Sequence, residues 1–141
     1  MRASGVGSVL DLRNAVAVTN GSMTVDSVAI DALAGGRVDL RAMQQVLDPA
    51  AGDTRSRAVL VTADGTNSVV DLTALAQMTD QTTNDDYNQG VTHSRLTAQN
   101  LGRIVVSPVQ AFATRVFVLT QTLGTIQGNV VLGPGSIRED R

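Results

Sequence analysis

The sequence predicts an all-β fold, namely a right-handed parallel β-helix (β-solenoid) of about four to five coils. A line of apolar residues with the same internal spacing returns four times, and its second apolar position recurs at intervals of 28, 32, 34 and, for a partial fifth copy, 26 residues. The composition also lacks the residues that usually cover helix surfaces. The copies are LDLRNAVAV (10–18), VDLRAMQQV (38–46), VDLTALAQM (70–78) and IVVSPVQAF (104–112), with the fifth beginning at Val130.

The variable interval between copies favours strands over helices as the repeating element. A repeat unit that cannot bury its own apolar face must stack on its neighbours. One extra residue rotates a helical face by about 100°, whereas loops between short strands absorb length changes. Basic residues are all arginine, and Glu139 is the only glutamate, so the usual material of exposed helices is missing.

Alternation within each copy indicates which side chains face the core. In the third copy, Val70 and Leu72 share one face, and Asp71 and Thr73 share the other, as in a half-buried strand. After this strand the apolar spacing changes to three, which fits a bend and a second short strand and also fits a turn of helix. A further apolar segment follows each variable loop, so we expect at least two strands in each coil, and three if that segment is also a strand. The predicted inward ladders are Leu10, Val38, Val70, Ile104 and Val130, and then Leu12, Leu40, Leu72, Val106 and Leu132.

Glycine or small polar residues precede each copy and set the predicted coil boundaries. Glycine adopts positive φ without strain, which suits the corner where one coil passes into the next. The coils are then about 7–35, 36–67, 68–101, 102–127 and 128–135, all within a single solenoid domain over residues 1–141. Because no polar cap is recognisable at either end, we expect a fragment of a longer repeat array.

Two alternatives compete with this interpretation, a leucine-rich repeat as the fold and a calcium site on the outward face of the coils. A leucine-rich repeat has a similar period, but its consensus requires an Asn or Cys after the strand, which these copies lack. The outward residues Asp11 and Asp39 are expected to stack, and an aspartate ladder of this kind is a candidate calcium site. Arg13 and Arg41 stand close by, however, and are expected to supply the counter-charge.

Composition excludes several classes of function. The formal net charge of -2 and the interspersed Arg and Asp leave no basic field, so no nucleic acid partner is expected. The chain has no cysteine, one histidine and no apolar run long enough for a membrane span, so we expect no disulfide, no metal site, no cofactor and no membrane crossing. Aromatic residues are almost absent, which removes the usual platforms for sugar rings.

The coil sequences carry a resemblance to a broad group of proteins. The segments GGRVDL (35–40), ADGTNSVVDLTAL (63–75) and SVLDL (8–12) resemble the β-helical repeats of very large bacterial surface and adhesin-like proteins. The resemblance covers nearly the whole chain, with motifs of low specificity. It implies a structural role, as a stiff stalk or an adhesive surface outside the cell, and it implies no catalytic residues.

Two long insertions form the candidate binding face. Residues 47–56 and 79–92 occur at the same place in adjacent coils, so they are expected to lie side by side, where repeat proteins often bind ligands. The competing interpretation is a pair of solvated polar loops. The candidate binding residues on this face are Asp48, Asp53, Asp80, Asp85, Asp86, Tyr87 and His93.

The alternative function is binding or cleavage of a polysaccharide by the acidic loop 79–92. Asp85 and Asp86, with Asp80 nearby, are candidate paired carboxylates for a lyase or hydrolase. A flexible loop and a short solenoid argue against that chemistry, and His93 has neither a second histidine nor a nucleophile elbow to work with.

The ends of the repeat suggest self-association. Exposed terminal rungs present unpaired backbone groups and an apolar cross-section, and such edges template pairing with another chain. Head-to-tail stacking of this kind need not close, so it allows filaments as well as dimers.

Overall fold

The computed structural model describes residues 1–82 and 93–141, and over these residues the chain contains strands and turns but no helix. Consequently no membrane-spanning helix occurs in this part of the chain. The strands are β1 (Arg2–Ser4), β2 (Val9–Asp11), β3 (Ala17–Thr19), β4 (Ser27–Leu33), β5 (Arg37–Asp39), β6 (Gln45–Asp48), β7 (Ala58–Asp64), β8 (Val69–Leu72), β9 (Gln77–Asp80), β10 (Arg95–Gln99), β11 (Arg103–Val106), β12 (Ala111–Thr114), β13 (Phe117–Gln121), β14 (Thr125–Gln127), β15 (Val130–Leu132) and β16 (Ile137–Asp140).

Every strand pairs with strands three places away along the chain, which is the topology of a solenoid. Sheet A has the order β1-β4-β7-β10-β13-β16, sheet B has β14-β11-β8-β5-β2, and sheet C has β15-β12-β9-β6-β3. All pairings are parallel. The predicted all-β solenoid of stacked parallel strands is therefore confirmed, and its right-handedness stays a prediction.

Sheet B contains the first predicted ladder and corrects its last member. Leu10, Val38, Val70 and Ile104 are register partners in successive coils, and the next partner is Ile126. Val130 instead pairs with Ala111 in sheet C, so its predicted place, and that of Leu132, was wrong. Only 22 residues separate Ile104 from Ile126, and the similar apolar pattern one strand further on imitates a new copy. The predicted coil count was slightly off for the same reason. Residue 128 was predicted to begin a new coil, but it leads into β15 of sheet C and therefore lies in the middle of a coil.

Sheet C shows a second departure from the repeat pattern. Ala113, not Phe112, is the register partner of Met78, and the side chain of Phe112 is 47% exposed. Met78 comes six positions after Leu72. Val106 is the register partner of Leu72, but Ala113 comes seven positions after it. The extra residue lies in the connection that contains Pro108, and it shifts the alternation by one.

A tight corner joins sheet A to sheet B in each coil. A Cβ atom added to Gly36, Gly102 or Gly124 would lie 2.3, 2.2 or 2.1 Å from a backbone oxygen of the preceding coil, so the backbone of these three coils accepts only glycine. Two of the coils have serine at this position. In one of them, the Ser68 hydroxyl donates to the Asp64 carbonyl and accepts from the Gly35 amide of the coil below.

The last two A-to-B corners have an unusual backbone. Asn100 and Leu101, and one coil later Thr122 and Leu123, have φ angles between 47° and 67°, in the left-handed region. Each pair is followed by a glycine whose amide bonds to the carbonyl three residues earlier. Two consecutive residues with positive φ are the pattern of a type I′ turn, which normally selects Asn and Gly.

Aspartates organise the corner between sheets B and C. The carboxylates of Asp11, Asp39 and Asp71 each accept the backbone N–H of the residue two positions later, at 3.2 to 3.3 Å. Each aspartate thereby closes an Asx turn at the point where the strand must bend. The leucine that follows, such as Leu72, then accepts the amide of Leu75 at 2.9 Å and closes a second turn.

Replacing Leu72 by alanine is expected to lower the free energy of unfolding by about 2 to 5 kcal/mol, because the side chain is fully buried in the centre of the stack. Leu123→Ala is the matched control, since that leucine is 78% exposed and its truncation should change stability by less than about 0.5 kcal/mol. Urea unfolding monitored by circular dichroism measures both. Equal effects of the two substitutions would contradict the assigned core.

Candidate functional site: the loop face

The loop face is the corner from sheet C to sheet A, formed by the connections 20–26, 49–57 and the described ends of 81–94. The first two connections lie against each other, since the Val25 amide donates to the Arg55 carbonyl at 3.0 Å and the Asp53 amide donates to the Ser22 carbonyl at 2.9 Å. The Gln81 amide donates to the Asp48 carbonyl at 2.8 Å. Neighbouring insertions therefore meet on one edge of the solenoid.

Asp48 and Arg57 form a fully buried ion pair beneath this face. Both side chains are 0% exposed, and Arg57 Nη2 and Nε donate to Asp48 Oδ1 at 2.7 and 3.2 Å. The same guanidinium donates to the carbonyls of Ala51, at 2.6 Å, and of Asp53 and Pro49. One arginine thus binds both ends and the middle of the first insertion.

The second oxygen of Asp48 has no such partner. Asp48 Oδ2 is buried and accepts no hydrogen bond within the described part of the chain. Burial raises the pKa of this carboxyl, and the neighbouring charge of Asp80 adds to the rise, while the hydrogen bonds from Arg57 oppose it. Asp80 lies one coil above, as the register partner of Asp48.

Asp80 closes the second insertion rather than facing solvent. Its Oδ1 accepts the amide and the hydroxyl of Thr82 at 2.9 and 2.5 Å, and its Oδ2 accepts the amide of Ser94 at 2.8 Å. The Ser94 hydroxyl in turn accepts the Val59 amide of the coil below at 2.9 Å. The two ends of the insertion are therefore joined through one buried carboxylate.

The remaining predicted residues have different positions. Asp53 is paired with Arg55, whose side-chain and backbone N–H groups lower the pKa of the carboxyl to about 2. His93 is half-buried beside Ser94. Asp85, Asp86 and Tyr87 lie outside the described residues. The structure thus brings Asp48 and Asp80 together inside the wall of the solenoid, whereas sequence reasoning placed both on the surface.

Arg57, Asn20 and Ser94 were missed by the sequence interpretation. Asn20 occupies the corner below Asp48, and its amide donates to the carbonyls of Asp26 and Ala58 at 3.1 and 3.4 Å. The only available signal was a lone polar residue directly before or after an apolar strand, such as Arg57 before β7. That pattern is shared by many exposed residues, so it does not identify buried ones.

The aspartate ladder of sheet B is neutralised by arginines. Asp39 pairs with Arg41, and the side-chain hydrogen bond of that arginine is the main cause that lowers the pKa of Asp39 to about 2. Arg37, in the neighbouring outward column, reaches Asp71 at 2.6 Å and Asp39 at 3.9 Å. Among residues 1–82 and 93–141, no group of three His, Cys, Asp or Glu side chains is arranged to hold a metal ion.

Comparison with known proteins adds no assignment. No protein-family model, no curated protein and no solved structure matches the chain.

Replacing Arg57 by methionine is expected to destabilise the protein by about 3 to 5 kcal/mol at pH 7, because the Asp48 carboxylate is then buried without its counter-charge. The pKa of Asp48 in the folded state rises further above the ordinary value of 3.8, so the folded state binds the proton more tightly than the unfolded state. The free energy of unfolding therefore falls as the pH rises above about 4, and the loss should be smaller at pH 4 than at pH 7.

Urea unfolding at the two pH values tests this expectation. The control is the double variant Asp48→Asn with Arg57→Met, which removes both charges and should be more stable at pH 7 than Arg57→Met alone. An Arg57→Met variant with the same loss at both pH values would contradict the role assigned to the pair.

Proposed function

We propose that this chain is a structural or adhesive β-helical module of an extracellular bacterial surface protein, and that it works without catalysis. The observation that carries the proposal is the uninterrupted stack of three parallel sheets around one apolar core. In such a stack every coil is hydrogen-bonded to the coil before and after it, which suits a rigid spacer. The extracellular bacterial setting rests on the resemblance of the coil sequences to adhesin-like repeats.

The outward surfaces support the same role. Along sheet B, arginine side chains pair with aspartates of their own coil, as Arg41 does with Asp39, and Arg37 also pairs with Asp71 of the next coil. Such pairs contribute little individually, about 0 to 1 kcal/mol, but they neutralise the aspartates of this surface. A surface of this kind resists non-specific association and leaves recognition to particular corners and loops.

The acidic residues of the loop face give limited support to the polysaccharide alternative. Asp48 and Asp80 are 0% and 1% exposed, and the hydrogen bonds of Asp48 close the first insertion while those of Asp80 close the second. A carboxylate in that position does not reach a sugar chain. The alternative then depends on Asp85 and Asp86.

Incubation with a panel of acidic polysaccharides, with and without calcium, tests the absence of catalysis. We expect no shortening of any polysaccharide, measured by size-exclusion chromatography and by absorbance of unsaturated sugar products. Reproducible cleavage that disappears in the Asp85→Asn and Asp86→Asn variants would overturn the proposal. Cleavage that persists in these variants would point to a contaminating enzyme, and repurification followed by the same assay decides that case.

Self-association through the edge strands forms part of the proposed module. In the described chain the edges are β1, β2 and β3 at one end and β14, β15 and β16 at the other. Sheet A has six strands, whereas sheets B and C have five. A second copy that starts with β1 therefore continues all three sheets only if β1 or β16 leaves its place. The expected association is weak for this reason.

Sedimentation velocity across a hundredfold range of concentration measures this association. We expect the mean sedimentation coefficient to rise with concentration, as for a dissociation constant in the micromolar to millimolar range. A constant monomer value throughout would show that the edges do not pair.

A further inference from the structure

An apolar corner lies at the A-to-B turn of the last two coils. We define it by Leu101, Arg103 and Leu123, which line a shallow depression together with Val69 and Thr125. Leu101 and Leu123 belong to neighbouring coils, joined at this point by the hydrogen bond from the Leu101 amide to the Thr122 carbonyl at 3.2 Å. The depression therefore spans two coils along the solenoid axis.

The two leucines are held in a backbone conformation that leucine rarely adopts. Leu101 has φ 67° and Leu123 has φ 61°, while their side chains are 51% and 78% exposed. In earlier coils the corresponding position is occupied by Gly35 and Asn67, the residue types that favour positive φ. Leucine here strains the turn and adds nothing to the core, so the fold alone does not account for it.

Arg103 supplies a positive charge with no carboxylate partner in the described part of the chain. It belongs to the same outward column as Arg37, through their common register partner Val69. Arg37 pairs with Asp71 of the coil above, whereas Arg103 meets Gln127 at the equivalent place, with Nη1 donating to the amide oxygen at 3.2 Å. A neutral amide thus replaces the expected counter-ion next to the two leucines.

We propose that this corner binds an extended segment of a partner protein that carries two apolar side chains and a carboxylate at every second position, so that all three lie on one face of the segment. The apolar side chains pack on Leu101 and Leu123. The carboxylate accepts hydrogen bonds from the guanidinium of Arg103, as Asp71 does from Arg37. Charge complementarity selects an acidic segment, because a basic one would meet Arg103. The proposal goes beyond the scaffolding role and does not depend on it.

The probe is a fluorescein-labelled peptide Leu-Ser-Leu-Ser-Asp-Ser, whose leucines and aspartate share one face when it is extended, and its binding is followed by fluorescence anisotropy. We expect saturable binding to the full chain, at least tenfold weaker binding of peptides with lysine for aspartate or serine for leucine, and weakening by salt. Arg103→Gln should weaken binding at least tenfold. Gln127→Glu should do the same, because it gives Arg103 an internal partner like that of Arg37.

Stability provides a second readout that a purely structural role would not produce. The double variant Leu101→Asn with Leu123→Asn should lose peptide binding and yet raise the Tm by about 2 to 6 °C, since asparagine adopts positive φ more readily. Val109→Ser is the control, because Val109 is 81% exposed at a different corner and its change should leave binding and Tm as they are.

Three outcomes would overturn the proposal. The first is that the acidic peptide does not bind the unaltered chain at millimolar concentration. The second is that the Arg103 variant and the Leu101/Leu123 variant bind the peptide as tightly as the unaltered chain does. The third is a lower Tm in the asparagine variant, which would mean that the leucines pack within the fold. The polysaccharide assay does not involve this corner, so failure here and failure of the proposed function are distinguishable.

Discussion

Each coil must return to a position one strand spacing, about 4.8 Å, above its start, and the corners have to achieve this without leaving buried backbone groups unpaired. The rest of the structure depends on this constraint. At the A-to-B corner, glycine lets one coil approach the carbonyls of the preceding coil, as at Gly102. At the B-to-C corner, an aspartate such as Asp71 pairs the amide that the bend would expose. The sheets then need only short strands, because the corners hold the register.

The corner from sheet C to sheet A varies most in length from coil to coil, and buried charged groups hold its long insertions in place. Long insertions interrupt the wall of the solenoid where the chain leaves sheet C. Arg57 ties the first insertion to Asp48, and Asp80 joins the ends of the second through Thr82 and Ser94. Burying these groups is costly unless each is paired, so removing one partner affects more than the contact itself. The loop face is therefore an organised part of the fold, and its acidic residues are not all available to a ligand.

Strict alternation made the central coils predictable from sequence. Val70 and Leu72 alternate with polar residues, and both are buried as expected. The error at Phe112 arises because one extra residue shifts the side-chain alternation. The error at Val130 arises because, after a short coil, a strand of sheet C has the apolar pattern expected at the start of a new copy. The burial of Asp48 could not be predicted, since it depends on Arg57 nine residues later and on packing between loops. The strained leucines at 101 and 123 were also hidden, because φ is not visible in a sequence.

Nuclear Overhauser contacts between methyl groups test the stacking register most directly. In a sample with labelled Ile, Leu and Val methyl groups, we predict a continuous series of contacts along Leu10, Val38, Val70, Ile104 and Ile126, which are register partners in sheet B. Val130 should instead contact residues of sheet C next to Ala111. Contacts from Ile104 to Val130 in place of Ile126, or the absence of contacts between Val38 and Val70, would contradict the account.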